Sequence, residues 1–288
     1  MDQRPYLVGL IGAGVTPSLT PALHMREAGA HGIPYVYRTI DLTTLRIDPI
    51  RVGELVDVAR TLGYDALNIT HPCKQLVIGH LSRLDRTAAR LGAVNTVVFD
   101  GEVAVGHNTD TTGFASAMRA GLPAADLGEV VQLGAGGAGT AVADALLGLG
   151  AERLVVVDLD EPRAQELARD LGVRHTRASV EAAHPDKLPV LLAEATGLVN
   201  CTPVGMADHP GLPIDADLLH PRHWVADIVY RPLETPLLAA ARSRGCRTLH
   251  GGHMAVYQAV DAFRLITGVD PDARRMLAHL RELVASDN

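Results

Sequence analysis

The stretch EVVQLGAGGAGTAVADALLGLGAERLVVVDLD, residues 129–160, constrains the fold more than any other part of the chain. It contains an apolar run, a glycine turn, a small-residue segment of helical character and a second apolar run, an order that predicts a strand–helix–strand unit. Short runs rich in Val, Ile and Leu alternate with amphipathic segments along the whole chain. The sequence therefore predicts an α/β fold with parallel sheets and helical crossovers rather than an all-β protein.

Apolar runs in the first third predict strands at YLVGLIG, YVYRTIDL, ALNIT and VNTVVFD, with helices at PALHMREAGA and IRVGELVDVARTLG. The segment FDGEVAVGHN predicts a tight hairpin, because Gly101 can adopt the positive φ of such a turn. Beyond Asp110 we predict a helix at TTGFASAMRAGL and strands at LVNCTP and WVADIVY. The last predicted helices are ETPLLAAARSRG, HMAVYQAVDAFRLITG and PDARRMLAHLRELV.

Length and composition narrow the class of protein. A chain of 288 residues is long enough for two domains, and three cysteines without a CxxC pattern argue for a reducing, cytoplasmic location. We expect neither export nor a membrane span, because the sequence has no signal-peptide pattern and no run of ~20 apolar residues. A net charge of -7 with scattered Lys and Arg would repel a polyphosphate backbone, so nucleic acid is not an expected partner.

Two glycine stretches are candidates for binding a nucleotide, and the sequence favours the second. Gly134, Gly136 and Gly139 have the GxGxxG spacing between a predicted strand and a predicted helix, where backbone N–H groups and the helix dipole can meet a pyrophosphate. In the first stretch, residues 9–17, Pro17 stands where close packing of helix and strand requires a small residue. We interpret that stretch as a strand-to-loop turn.

Asp158 ends the second strand of the unit, at the position of the acidic residue that binds the adenosine ribose hydroxyls. A carboxylate ~4 Å from a 2′-phosphate meets a repulsion of roughly a few kcal/mol, and about 1.4 kcal/mol is tenfold in affinity. The sequence therefore predicts NAD rather than NADP as the cofactor. The alternative is that Arg163, farther along the chain, neutralises a 2′-phosphate.

The segment NITHPCKQ, residues 68–75, places many polar groups directly after a predicted strand. Pro72 suits the first position of a helix, which puts Lys74 in the first turn, where the helix dipole and partial burial disfavour an ammonium group. Such a lysine can carry a proton, and Asp110, at the expected seam between two domains, is a candidate partner. The plain alternatives are a solvated Lys74 and an Asp110 that only caps the following helix.

His71 and Cys73 raise a zinc site and a thiolate nucleophile as further alternatives. Zinc requires three or four ligands, and no second Cys/His pair accompanies this one, while the HGGH sequence at 250–253 is too isolated to complete a site. A catalytic thiol needs an orienting group and an oxyanion hole, neither of which the sequence clearly supplies. We expect no metal, and we expect Cys73 to be a packing residue.

Eight motifs occur along nearly the whole chain: SLTPALH (18–24), NITHPCKQ, AVNTV (93–97), GHNTDTTGF (106–114), GAGGAG, NCTPVGM (200–206), YRPLETPLL (230–238) and GGHMAVYQA (251–259). In their order and spacing they resemble the shikimate/quinate dehydrogenase family. The resemblance implies a split substrate domain, residues 1–110 and 253–288, and an inserted NAD-binding Rossmann domain, residues 111–252. It also implies that Lys74 and Asp110 form a catalytic dyad.

The resemblance further implies which side chains bind the ligands. Ser18 and Thr20 would bind the carboxylate of a small cyclic polyol carboxylate, and the residues that would hold its ring hydroxyls are Asn68, Thr70, Asn95 and Gln258. The candidate cofactor-binding residues are then Gly134, Gly136, Gly137, Ala138, Gly139, Asp158, Arg163, Thr202 and Val229. A monomer or a homodimer is expected.

Two departures from the commonest biosynthetic members resemble the NAD-preferring quinate/shikimate branch. Those members usually have Ser-x-Ser where this chain has Ser18 and Thr20, and Asn-Arg-Thr where it has Asp158, Leu159 and Asp160. The sequence leaves open whether quinate or shikimate is preferred. It also leaves open an NADP-dependent biosynthetic enzyme, an aminoshikimate-type dehydrogenase, a non-catalytic dinucleotide sensor and a zinc-dependent alcohol dehydrogenase.

Overall fold

The computed structural model of the protein describes residues 4–286, which divide into two compact units. One unit runs up to Thr109 and resumes at Gln258, and the other is Asp110–Tyr257. The predicted substrate domain has its boundaries after residue 110 and before residue 253. Asp110 and residues 253–257 therefore belong to the second unit in the structure and to the substrate domain in the prediction.

The first unit is built on a mixed sheet. Its elements are β1 (Tyr6–Gly12), α1 (Thr20–Ala30), β2 (Tyr35–Asp41), α2 (Leu42–Leu45), α3 (Val52–Thr61), β3 (Ala66–Ile69), α4 (Cys73–Leu76), β4 (Arg83–Leu84), α5 (Arg86–Leu91), β5 (Thr96–Asp100) and β6 (Val103–His107). The strand order is β2-β1-β3-β5-β6-β4, with β1, β2 and β3 parallel and β5 antiparallel to β3 and β6.

Successive strand residues point to opposite sides of this sheet, and apolar side chains pack against both faces. Ile11 and Leu67 lie in one apolar cluster with Val56 of α3. Leu10, next to Ile11, lies in another cluster with Ile266, from a helix near the C-terminus. The predicted return of the C-terminal helices to this domain is therefore confirmed.

The second unit is built on a doubly wound parallel sheet. Its elements are α6 (Asp110–Gly121), β7 (Glu129–Leu133), α7 (Gly137–Leu149), β8 (Arg153–Val157), α8 (Glu161–Arg174), β9 (Ser179–Ala183), α9 (Leu188–Glu194), β10 (Gly197–Asn200), β11 (Trp224–Asp227), α10 (Pro236–Ser243) and β12 (Arg247–Leu249). The strand order is β12-β11-β10-β7-β8-β9. The remaining elements are α11 (Gly251–Thr267), within which the boundary between the units falls, and α12 (Ala273–Ser286).

Alternation along the strands fills both faces of the second sheet. Val130 packs in one cluster with Leu146 of α7, whereas its neighbour Val131 packs in another with Leu192 of α9. With every pair of neighbouring strands parallel, this is the predicted Rossmann-type domain, which is confirmed. The residues on which a dinucleotide binds in such a domain follow the carboxyl ends of the strands.

Two glycine turns have the predicted form. Gly101 joins β5 to β6 with a φ of 57°, so the predicted hairpin is confirmed. Strand β1 ends at Gly12 and is followed by a turn in which Gly14 has a φ of 65°, which confirms the first glycine stretch as a strand-to-loop turn. These are conformations that glycine adopts without the penalty of a Cβ.

Some helix boundaries differ from the predicted ones. Helix α4 starts at Cys73, so Pro72 precedes it rather than opening it, and Lys74 is its second residue. Helix α11 includes both glycines that were predicted to precede it. Gly251 is required by close packing rather than by a loop conformation: an added Cβ there would lie 2.3 Å from the carbonyl oxygen of Ile228, so only glycine fits this helix start.

Several elements are not among the predicted ones, notably α8 and β9 of the second unit. In the described range 4–286, no helix has the length and hydropathy that crossing a lipid bilayer would require.

Candidate active site

Asp41, at the end of β2, holds the loop that precedes Ser18. Its carboxylate accepts hydrogen bonds from the hydroxyl of Thr16 (2.6 Å) and from the backbone N–H groups of Thr16 (2.8 Å) and Gly14 (3.0 Å). The bond from the Thr16 hydroxyl, supported by the backbone donors, lowers the pKa of Asp41 to about 2. Asp41 is therefore ionised at neutral pH and fixes the course of this loop. It is not among the predicted site residues.

Ser18 and Thr20 lie at the start of α1, and both are half-buried. Thr20 is the first helical residue, and its backbone N–H donates to Ser18 Oγ at 3.3 Å. An anion is favoured at a helix N-terminus, where N–H groups lack intrahelical acceptors. The placement suits a carboxylate ligand, and the role stays a prediction.

A buried hydrogen-bond network joins three of the residues predicted to hold ring hydroxyls. Asn68 Nδ2 donates to the hydroxyl of Thr96 (2.9 Å), which in turn donates to Asn95 Oδ1 (3.1 Å). Asn95 Nδ2 donates to the hydroxyl of Thr109 (2.9 Å) and to Gln258 Oε1 (3.3 Å). The first unit thus brings together amides that are far apart in the sequence.

Tyr37 extends this network and is not among the predicted site residues. Its hydroxyl donates to Asn68 Oδ1 at 2.6 Å. Burial raises the pKa of Tyr37 well above its usual value, so the hydroxyl stays protonated and orients the amide as a donor. The signal that could have found it is the period of two in YVYRTID, which points Tyr37 inward, where a hydroxyl needs a partner.

The segment after β3 carries Thr70, Cys73 and Lys74. Thr70 is half-buried, and its backbone carbonyl accepts the N–H of Cys73 at 2.8 Å. Cys73 is buried in the core, and burial raises its pKa to about 11, which suits the predicted packing role rather than a thiolate nucleophile. Lys74 is half-buried, and its carbonyl accepts the N–H of Val94 at 2.8 Å, which ties the lysine to the segment that carries Asn95.

Asp110 is the first residue of α6 and is buried. It belongs to the second unit, whereas Lys74 belongs to the first. Their pairing as a dyad stays a prediction.

The second glycine stretch forms the turn between β7 and α7. Gly134 has a φ of 95°, and an added Cβ at Gly139 would lie 2.3 Å from the Gly134 carbonyl oxygen, so both positions require glycine. At Gly136 and Gly137 an added Cβ would meet no atom of residues 4–286 within 4 Å apart from the chain neighbours and the backbone of the same helix. This open side adjoins the first turn of α7, which includes Ala138. The turn therefore fits the pyrophosphate of a dinucleotide.

Asp158 follows β8 and is buried. Its carboxylate accepts the N–H groups of Ala135 (2.7 Å) and Asp160 (2.9 Å), and Arg163 Nη2 donates to both oxygens at 2.8 and 3.0 Å. Burial alone would raise the pKa of Asp158, but the two N–H groups and Arg163 lower it below its usual value. Both predicted residues thus lie together as an ion pair with the carboxylate charged.

Thr202 and Val229 are joined by a buried network around Asp227. The Thr202 hydroxyl donates to Asn200 Oδ1 (2.7 Å), and Asn200 Nδ2 donates to Asp227 (3.0 Å). Asp227 also accepts the N–H of Val229 (3.0 Å) and the hydroxyl of Thr235 (2.7 Å). The loops after β10 and β11 are therefore tied together at the carboxyl edge of the sheet. Asp227 is not among the predicted residues, although an aspartate ending a buried strand, WVAD, was a usable signal.

A zinc site would require at least three His, Cys, Asp or Glu side chains close together. Among residues 4–286, the His, Cys, Asp and Glu side chains form no group of three or more that could hold a metal ion. Burial also raises the pKa of Cys201 well above its usual value.

Comparison with known proteins identifies the family. Residues 10–97 match the shikimate dehydrogenase substrate binding domain, and residues 130–206 match the saccharopine dehydrogenase NADP binding domain. A shikimate dehydrogenase (NADP(+)) from Streptomyces avermitilis is 60% identical over 286 residues, which are 99% of this chain and 98% of that protein. This chain belongs to the shikimate/quinate dehydrogenase family. The family predicted from the motifs is confirmed.

Other shikimate/quinate dehydrogenases that resemble this chain are named for NAD. A quinate/shikimate dehydrogenase (NAD(+)) from Corynebacterium efficiens is 50% identical over 280 residues, 96% of this chain and 98% of that protein. A quinate dehydrogenase from Corynebacterium glutamicum, solved in complex with NAD, has a TM-score of 0.92 and 47% identity, covering 97% of this chain and 100% of that one. The protein is thus an oxidoreductase of this family with a nicotinamide dinucleotide cofactor, and the names of its relatives divide between NAD and NADP.

Proposed function

We propose that this shikimate/quinate dehydrogenase prefers NAD and interconverts quinate with 3-dehydroquinate, shikimate with 3-dehydroshikimate, or both. The observation that carries the cofactor preference is the fixed carboxylate of Asp158. Two backbone N–H groups hold it after β8, where a Rossmann domain meets the adenosine ribose. An ionised carboxylate there can accept a ribose hydroxyl, and it repels a 2′-phosphate.

Arg163 favours a second candidate, an NADP-dependent shikimate dehydrogenase. Its side chain is 51% exposed, so the guanidinium can turn from Asp158 toward a 2′-phosphate. The identity to the Streptomyces protein named for NADP points the same way. We favour NAD because the backbone N–H groups would still hold the Asp158 carboxylate after Arg163 turned away. A 2′-phosphate would then face that negative charge.

The substrate class follows from the side chains of the first unit. Hydroxyl donors at a helix N-terminus, Ser18 and Thr20, suit a carboxylate. Amide and hydroxyl groups of four residues suit a polyol, because each can both donate to and accept from ring hydroxyls; they are Asn68, Thr70, Asn95 and Gln258. The hydrogen-bond network that joins Asn68, Asn95 and Gln258 pre-sets the orientation of these three amides, which lowers the cost of ordering them around a substrate.

The proposed chemistry is hydride transfer coupled to proton transfer. In the direction of oxidation the bound nicotinamide supplies the hydride acceptor for a secondary ring carbinol. Lys74 accepts the hydroxyl proton, directly or through a relay, and Asp110 orients the amine. In the direction of reduction Lys74 returns the proton to the carbonyl oxygen.

The cofactor proposal is tested by measuring kcat/KM for NAD and NADP in the wild type and in two variants. We expect the wild type to favour NAD by about tenfold or more, because the fixed charge of Asp158 opposes a 2′-phosphate. Asp158→Ser should remove most of that preference by raising kcat/KM for NADP. Arg163→Ala should leave the preference for NAD in place.

Glu161→Gln is the matched control, because it removes an exposed acidic charge nearby and should leave the ratio near the wild-type value. A wild type that favours NADP, together with loss of that preference in Arg163→Ala, would establish the second candidate instead.

A further inference from the structure

Gln132 is a buried amide in the middle of β7, and packing alone does not account for it. Its side chain is fully buried, and in the sheet it lies in register with Val156 of β8 and Val199 of β10. The strand neighbours Val131 and Leu133 are apolar. An aliphatic side chain would fill this position without the cost of removing an amide from water.

The amide joins the first and last glycines of the turn. Gln132 Nε2 donates to the carbonyl oxygens of Gly134 and Gly139, each at 2.9 Å. Both N–H bonds of the amide are therefore used within the glycine turn. The side chain of Gln132 thus links the end of β7 to the first turn of α7 by two hydrogen bonds.

One of the two carbonyls belongs to the peptide that also holds Asp158. A trans peptide points its C=O and its N–H in opposite directions. The C=O of Gly134 accepts from Gln132, and the N–H of the same peptide, on Ala135, donates to the Asp158 carboxylate at 2.7 Å. Gln132 and Asp158 therefore hold the two ends of a single peptide plane.

The second carbonyl belongs to the first turn of α7. The Gly139 carbonyl accepts from Gln132, and the N–H of the same peptide, on Thr140, donates to the Gly136 carbonyl at 2.8 Å. The N–H groups that open this helix are those that would meet a pyrophosphate. Gln132 thus also fixes the orientation of that turn.

We propose that Gln132 is a positioning residue for the dinucleotide: it sets the glycine turn against the pyrophosphate and Asp158 against the adenosine ribose. The proposal rests on the glycine turn being the cofactor site, and it holds for either NAD or NADP. It does not require that Gln132 contact the cofactor.

The test compares Gln132→Met and Gln132→Glu with the wild type. Methionine has similar length and packs readily, but it donates no hydrogen bond, and glutamate places acceptors against two carbonyls. We expect the Kd for NADH, measured by fluorescence titration, to rise about tenfold in both variants. At saturating dinucleotide we expect kcat and the KM for the polyol to stay within about twofold of the wild-type values. General destabilisation would not weaken NADH binding while leaving these two constants unchanged.

Two further variants separate the possible failures. Val156→Ala removes packing opposite Gln132 without touching the turn, and its Kd for NADH should match the wild type. Gly136→Ala puts a methyl group into the open side of the turn and should weaken NADH binding. An unchanged Kd in Gln132→Met, with Gly136→Ala weakened, overturns the role of Gln132 alone. An unchanged Kd in Gly136→Ala overturns the glycine turn as the cofactor site.

Discussion

Replacing Lys74 by alanine is expected to lower kcat by about 10²- to 10⁴-fold with quinate or shikimate, because the variant lacks the proposed acceptor of the hydroxyl proton. The Kd for NADH should stay near the wild-type value, since Lys74 lies outside the glycine turn. Steady-state rates at saturating substrate and fluorescence titration of NADH measure the two quantities. Lys74→Arg should be nearly as slow as Lys74→Ala, because arginine keeps the positive charge but does not give up its proton.

The chain provides a matched control for this change, because it has a second lysine, Lys187, which is exposed. Lys187→Ala should retain wild-type kcat. Near-normal turnover in Lys74→Ala would refute the proton-transfer role. Recovery of activity in Lys74→Arg would instead assign Lys74 an electrostatic role.

Asp110→Asn completes the test of the dyad. If Asp110 orients the lysine, the variant should lose kcat while its thermal midpoint changes little. A loss of about 1 kcal/mol in stability with unchanged kcat would identify Asp110 as a residue that only stabilises the start of α6.

Replacing Arg275 by alanine is expected to lower the free energy of unfolding by about 3 kcal/mol at pH 7. Glu27 of α1 is fully buried, and its carboxylate accepts hydrogen bonds from Arg275 Nε (2.9 Å) and Nη2 (2.5 Å) and from the N–H of Asp272 (2.8 Å). Removal of Arg275 leaves a buried carboxylate without its counter-ion. The pair also ties α12 to the helix that starts at Thr20, within the first unit.

The effect should depend on pH. Burial would raise the pKa of Glu27, but the bonds from Arg275, Asp272 and His31 lower it below its ordinary value of 4.5. A group whose pKa is lower in the folded state contributes stability above the unfolded pKa and loses it as the pH falls through the folded pKa. The stability difference between wild type and Arg275→Ala should therefore be full at pH 7 and shrink in acid.

Urea denaturation at pH 7 and at about pH 4 measures this difference. Arg274→Ala, which removes an exposed arginine one residue earlier, should change stability by less than about 0.5 kcal/mol. Adding Glu27→Gln to Arg275→Ala should recover part of the loss, because the buried charge is removed. A loss below about 1 kcal/mol in Arg275→Ala, or a difference that does not change with pH, would contradict the ion pair as an anchor.

Much of the fold could be predicted because its strands carry strong local patterns. The strand–helix–strand unit at 129–160 combines apolar runs with a glycine turn, and the hairpin at Gly101 has its own turn signal. Helix α8 could not be found in the same way, because its buried face is a narrow stripe in a polar sequence: Ala164, Leu167, Ala168 and Leu171. The predicted start of α11 is wrong because Gly251 is required by its close approach to the backbone of Ile228. That residue is distant in the sequence, so no local pattern indicates the contact.

The candidate site likewise combines residues that local motifs predict with residues that they do not predict. Short motifs contain the residues predicted to meet ligands, and several of those lie together in the structure, as Asn95 does with Gln258 and Asp158 with Arg163. The residues that hold them come from other parts of the chain. Helix α1 separates Asp41 in the sequence from the loop that it fixes. No local sequence pattern therefore predicts the contact.

Activity and cofactor preference are tested together by the initial rate of NADH formation by the purified wild-type protein with quinate and with shikimate, each measured beside a parallel assay with NADP. We expect turnover of at least one of the two substrates, with a higher kcat/KM for NAD than for NADP. A higher kcat/KM for NADP would contradict the proposed cofactor preference, and no turnover of either substrate with either dinucleotide would contradict the proposed reaction.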